Sequence, residues 1–130
     1  MAVTATPIFG QTLKNAYGQV TVANTARDGT GTLVTMFTAG ANGSKVMETE
    51  VHATVTTTAG MVRIFISEDA GTTKRLYKEI LVSAVTVGAN TAGFNSNTAY
   101  DNFILPASAV VYASTHIGEA INVFMPYLDY

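Results

Sequence analysis

The sequence predicts an all-β chain, an antiparallel β-sandwich or jelly-roll of about eight strands. Short segments rich in Val, Ile, Thr and aromatic residues recur from residue 19 to the C-terminus, and Gly, Asn, Asp or Pro punctuates them. No stretch combines a 3.6-residue apolar period with helix caps. Threonine, 20 of the 130 residues, is β-branched and carries a hydroxyl that tolerates half-exposure, which suits a pleated surface.

Residues 1–17 have no clear period and are broken by Pro7 and Gly10. They read as an extended N-terminal arm, leaving 18–130 as a single β-sandwich domain. Gln19–Ala23 alternates and is the expected first strand; Asp28-Gly29 is the strongest turn signal after it. Thr32–Thr38 is the second strand, ended by the Asn42-Gly43 turn. Lys45–Thr58 is the longest, with Glu48, Glu50 and His52 on one face and Met47, Thr49, Val51 and Ala53 on the other. Ala59-Gly60 reverses the chain into Met61–Ser67, and residues 68–73 turn it into Lys74–Val82. Gly88–Asp101 is small and polar and reads as a loop crossing between sheets. Asn102–Leu105, Ala109–Ser114 and Ala120–Met125 complete the set, the last closed by Pro126.

Composition then narrows the function. Charged residues are 12% of the chain, hydrophobic residues 48%, and the formal net charge is −2. That is about half the charge of an average soluble protein, and it excludes intrinsic disorder as well as a basic nucleic-acid or membrane-binding footprint. With no cysteine there is no thiolate metal site, and His52 and His116 are the whole imidazole complement. A surface this poor in ions is expected to lie partly against other subunits. The first ten residues carry no basic n-region or long apolar run, so the chain is expected to be made in the cytoplasm of its producer.

Several residue groups invite a chemical reading. Glu48, Glu50 and His52 stand about 7 Å apart on one strand face. They could hold a divalent cation if another strand added ligands, and otherwise form a solvated or intersubunit polar face. Asp28-Gly-Thr-Gly31 precedes a strand, not a helix, so it does not cradle phosphate. There is no Gly-x-Ser-x-Gly elbow. An enzyme is not expected, nor a cofactor or metal. Ser67-x-Asp69-x-Gly71-x-Thr73 resembles the Asp-box hairpin of sialidase-type propellers, with Lys74 where an aromatic residue is usual. There Asp69 would accept amide protons, Gly71 would take positive φ and Thr73 would cap the loop, as a structural turn. Strand alternation places Met61 and Phe65 opposite Val62, Ile64 and Ile66, and Leu33 and Phe37 opposite Val34 and Met36. Apolar residues on both faces imply a covering loop or a subunit interface. Pro7, Ile8, Phe9, Met61, Phe65, Phe94 and Tyr100 are the candidate interface residues.

The run Ile64–Val82, with its Asp-x-Gly-Thr-Thr turn, resembles a segment of small virion proteins of tailed bacteriophages. So does the later stretch from Leu105-Pro106 through Val111-Tyr112-Ala113-Ser114 to Glu119–Val123, with its Asp129-Tyr130 end. The resemblance spans about residues 30–130 and implies a structural role on the particle. The expectation is a capsid cement (decoration) protein on the virion's capsid surface, partnered by the major capsid protein and by its own copies as a homotrimer, with no nucleic-acid or membrane partner. A tail or tail-fibre component is the alternative. So is a carbohydrate-binding jelly-roll module using Tyr100, Tyr112 and Tyr127.

Overall fold

The computed structural model describes residues 11–130. Eight strands follow in order: β1 Thr12–Val20, β2 Val34–Thr38, β3 Ser44–Ala53, β4 Gly60–Ser67, β5 Arg75–Val82, β6 Asn95–Leu105, β7 Val110–Thr115 and β8 Ile121–Asp129. They form two four-stranded antiparallel sheets, ordered β1-β8-β3-β6 (sheet A) and β2-β7-β4-β5 (sheet B). The pairings β1·β8, β2·β7, β3·β6 and β4·β5 describe one long hairpin whose tip is β4–β5, rolled so that alternate pairs fall in opposite sheets. That is the jelly-roll form of the β-sandwich. Between the sheets lie Val46, Val51, Val123 and Met125 from sheet A and Val62, Ile64, Val111 and Ala113 from sheet B, all fully buried. Each larger aliphatic side chain there contributes roughly 1.5–3 kcal/mol.

The strands differ from the sequence expectation where a local irregularity defeats simple alternation. β1 runs through residues 12–17, expected in the arm, because β8 supplies a partner for every residue from Thr12 to Val20. β3 has a register shift between Val46 and Glu48. That bulge turns Val46 inward together with Val51, where unbroken alternation would have chosen Met47. β6 begins at Asn95, not Asn102: as an edge strand paired only with β3, it needs no apolar alternation, and a strand of Asn, Ser, Thr and Ala suffices. β8 passes straight through Pro126 although it is an inner strand of sheet A. Pro126 pairs with Asn15 on one side and faces the irregular stretch of β3 between Val46 and Glu50 on the other, so its missing N–H interrupts no regular bond there.

The two strands with apolar residues on both faces resolve within the chain. In β2 the register shifts between Thr35 and Phe37, and the bulge brings Met36 and Phe37 together into the core. In β4 alternation holds against β7, so Arg63 and Phe65 do face away from the core, yet both are buried. The β1–β2 connection covers that outer face. Asn24 donates its backbone N–H to the Thr115 carbonyl at 2.8 Å, its side-chain amide to the Thr30 and Thr32 carbonyls at 2.9 Å each, and its carbonyl receives Arg63 Nη1 at 3.5 Å. Arg63 Nε meets Glu79 Oε2 at 3.0 Å, and Arg27 of the loop meets the same oxygen at 3.3 Å. A covering loop, not a second subunit, accounts for Phe65.

Candidate functional site

Among the described residues the β1–β2 loop covers part of sheet B, and no connection covers the outer face of sheet A. Ala16, Val20, Val123, Met125 and Tyr127 point into the core, so their strand neighbours point outward. Cross-strand register lines these neighbours into rows. At the β3 start, Leu13, Leu128, Lys45 and Ile104 form one row, with Leu13 75% and Ile104 62% exposed. Towards the other end Tyr17, Phe124, Glu50 and Asn97 form a second, and Gln19, Asn122, His52 and Asn95 a third.

Between these rows the face is hollowed. One hollow of about 540 Å³ is lined by Asn15 and Pro126 at one side, Glu48, Glu50 and His52 at the other, and Asn122 and Phe124 at its floor. A second, about 440 Å³, lies beside it over Gly18, between Tyr17, Gln19, Asn122 and Phe124. Tyr17 stacks on Phe124 with ring centroids 6.4 Å apart and 29° between planes. Gln19 Nε2 donates to Asn122 Oδ1 at 2.9 Å, fixing both amides. Glu48, Glu50 and His52 thus share one face, as alternation predicts. Among the described residues no three His, Asp or Glu side chains lie close enough to hold a metal ion.

The expected interface residues separate. Met61 is half-buried and pairs with Leu81, which is 64% exposed, on the outer face of sheet B beyond the covering loop. Phe65 and Phe94 are buried inside the chain, Phe94 in the core cluster, and neither can contribute an exposed surface. Tyr100 is half-buried against the core, edge-on to Phe103 at 4.9 Å, with its hydroxyl 2.9 Å from Thr49 Oγ1. Burial holds the Tyr100 phenol above its ordinary value, the Thr49 hydroxyl opposing that shift. Pro7, Ile8 and Phe9 lie outside the described residues. Nor do the three tyrosines expected as sugar platforms serve: Tyr127 is buried and stacked on Phe37 at 3.9 Å, Tyr100 packs inward, and Lys74 lies over the Tyr112 ring at 5.1 Å. Tyr17, within the segment taken as an arm, is the exposed aromatic residue that alternation of β1 would have found.

The Asp-box-like turn forms as a local structure. Asp69 Oδ1 accepts the Thr73 amide at 2.7 Å and the Ser67 hydroxyl at 2.8 Å; Ser67 Oγ in turn accepts the Gly71 amide at 2.8 Å. Gly71 takes φ 91°. These bonds, the Thr73 amide first, hold the Asp69 carboxyl below the ordinary carboxylate range. Lys74, where an aromatic residue is usual, lays its ammonium on Tyr112 of β7 instead. At the same end of the sandwich Asp129 is held low by Lys14, 2.8 Å away, and by the Ser44 hydroxyl at 2.5 Å.

No family model matches this sequence, and no curated protein does. Among solved structures the chain is similar to a chain of the cyanophage Pam1 capsid asymmetric unit, at 17% identity and a TM-score of 0.43, over 100% of this chain and 94% of that one. Likeness at that level assigns no role, and a jelly-roll by itself serves shells, lectins and enzymes alike.

Proposed function

We propose that this chain is a non-enzymatic structural protein of a tailed-phage virion that cements the capsid by bridging neighbouring subunits of the major capsid protein. The observation that carries this reading is a pair of exposed apolar patches placed for bridging. Leu13 and Leu128 adjoin on the outside of sheet A at the start of β3, with Ile104 across Lys45 in the same row; Met61 and Leu81 lie on the outside of sheet B at the start of β4. Because β3 leads antiparallel into β4, the two patches occupy opposite faces and opposite ends of the sandwich. Each is too small for a stable interface alone, but two engaged together gain from effective concentration, and copies joined as a trimer gain again. The low charge of the chain and the resemblance of residues 30–130 to small virion proteins point the same way.

The test is co-sedimentation of the full chain with capsids assembled from the major capsid protein encoded on the same genome, followed by thermal rupture of the decorated shells. Bound protein that raises the rupture temperature supports the reading. Leu13→Asp and Leu81→Asp should each weaken binding about tenfold or more and abolish the rise. Failure to bind capsids, labelling confined to the tail, or full stabilisation by both variants overturns it.

A further inference from the structure

We propose that the His52 half of sheet A's outer face is a binding site for a neutral oligosaccharide, with Tyr17 and Phe124 as its stacking platform. Tyr17 is 74% exposed at the middle of a fully paired strand, more exposure than its cross-strand stacking on Phe124 requires. With Phe124 beside it at a shallow angle, it presents a flat apolar wall across two strands. A pyranose needs such a wall for its C–H face, together with planar hydrogen-bonding groups at the rim for its equatorial hydroxyls. The next row provides them. The Gln19–Asn122 bond leaves the Gln19 carbonyl oxygen and an Asn122 N–H free, an acceptor and a donor held in place before any ligand arrives. Glu50 adds an acceptor, and His52 can take either role.

Size and charge define the ligand further. The two hollows adjoin across Asn122 and Phe124, and each lies within the volume range of small-molecule sites, so neighbouring rings of one oligosaccharide can occupy both. Glu48 and Glu50 line the larger hollow with no lysine or arginine among its walls, which disfavours phosphorylated, sialylated or uronic glycans. Sugar hydroxyls can donate hydrogen bonds to both carboxylates in place of water. The site is separate from the apolar row proposed for shell attachment: Leu13 stands four residues from Tyr17 along β1, roughly 13 Å by strand rise.

The experiment screens the full chain against immobilised neutral and sialylated oligosaccharides, then titrates the strongest neutral tetrasaccharide by calorimetry. Sub-millimolar binding of a neutral glycan is expected, with loss of about tenfold or more in Tyr17→Ala, retention in Tyr17→Phe, and no change in Leu13→Asp. Because the Tyr17 ring is mostly exposed, Tyr17→Ala should lower the melting temperature only slightly, through its lost pairing with Phe124, and an unaltered circular dichroism spectrum separates a lost contact from a lost fold. Absence of neutral-glycan binding, preference for sialylated ligands, or unimpaired binding by Tyr17→Ala overturns the proposal. The shell-binding reading survives any of those results, since Tyr17 is not in its patches.

Discussion

Glu79→Ala and Arg63→Met remove opposite halves of one ion pair, and their costs should differ severalfold. The Arg63 side chain is 3% exposed and that of Glu79 28%. Taking away Glu79 leaves a guanidinium sealed under the β1–β2 loop, with only the Asn24 carbonyl at 3.5 Å to answer it. An uncompensated buried charge costs about 3–5 kcal/mol; the partial exposure of Glu79 discounts this to about 2–3 kcal/mol. Arg63→Met fills the same space with an apolar stem. Glu79 then remains near the surface facing Arg27 at 3.3 Å, and the cost should stay under about 1 kcal/mol. Against a total stability of about 5–15 kcal/mol, the first change should lower the urea midpoint by about 1–2 M and the second by a small fraction of that. Urea titrations followed by circular dichroism and tyrosine fluorescence measure both; the chain has no tryptophan to complicate the signal. Loosening of the loop in Glu79→Ala should also raise binding of a hydrophobic dye, as Phe65 becomes accessible. Equal costs for the two variants, or a Glu79→Ala midpoint within about 0.3 M of wild type, would refute the claim that this pair pins the loop over sheet B.

Three further outcomes are expected. Gly71→Ala should cost about 1–2 kcal/mol in a thermal melt, because the residue has φ 91° and an added Cβ would lie 2.8 Å from the Tyr112 hydroxyl. Val51→Ala, at a fully buried position of inner strand β3, should cost about 1.5–3 kcal/mol with an unchanged denaturant slope. Asp69 and Asp129 have folded-state pKa values below those of the unfolded chain. Their stabilisation is therefore complete above the ordinary carboxylate value, about 4, and is lost as pH falls through the lower folded values. Urea midpoints measured from pH 7 downward should hold to about pH 5 and then decline, less steeply in Asp69→Asn; a midpoint that rises on acidification would contradict this.

Alternation, turn chemistry and the lack of helical period made the strand number and the sandwich class legible, because those signals are local. Asp28-Gly29, Asn42-Gly43 and the Ser67–Thr73 turn fell where expected for the same reason. Register irregularities were not legible. The bulges in β2 and β3 depend on what lies across the ladder, so a reader of one strand cannot know that Met36 joins Phe37 in the core or that Val46 replaces Met47. Pro126 looked like a stop for a related reason: its tolerance depends on an irregularity in β3, some eighty residues away in sequence.

The candidate site shows the same division between which way a side chain points and what lies above it. Alternation correctly turned Phe65 away from Val62 and Ile64, and correctly gathered Glu48, Glu50 and His52 on one face. Whether an outward residue meets water, a loop or a partner is decided by the path of distant chain. The twelve-residue span from Thr21 to Thr32 carries no apolar pattern, yet Asn24 ties it to β7 and β4 and Arg27 ties it to β5, across the outer face on which Phe65 is buried. Among the described residues no such span crosses sheet A, and Leu13, Tyr17 and Ile104 are exposed there. The apolar residues that point outward are thus divided between those the chain buries itself, such as Phe65, and those it leaves exposed, on sheet A and at the Met61–Leu81 pair of sheet B. Burial removes Phe65 and Phe94 as candidate contact residues, and the rows of sheet A and the Met61–Leu81 pair are the exposed apolar residues on which the proposed shell contact rests.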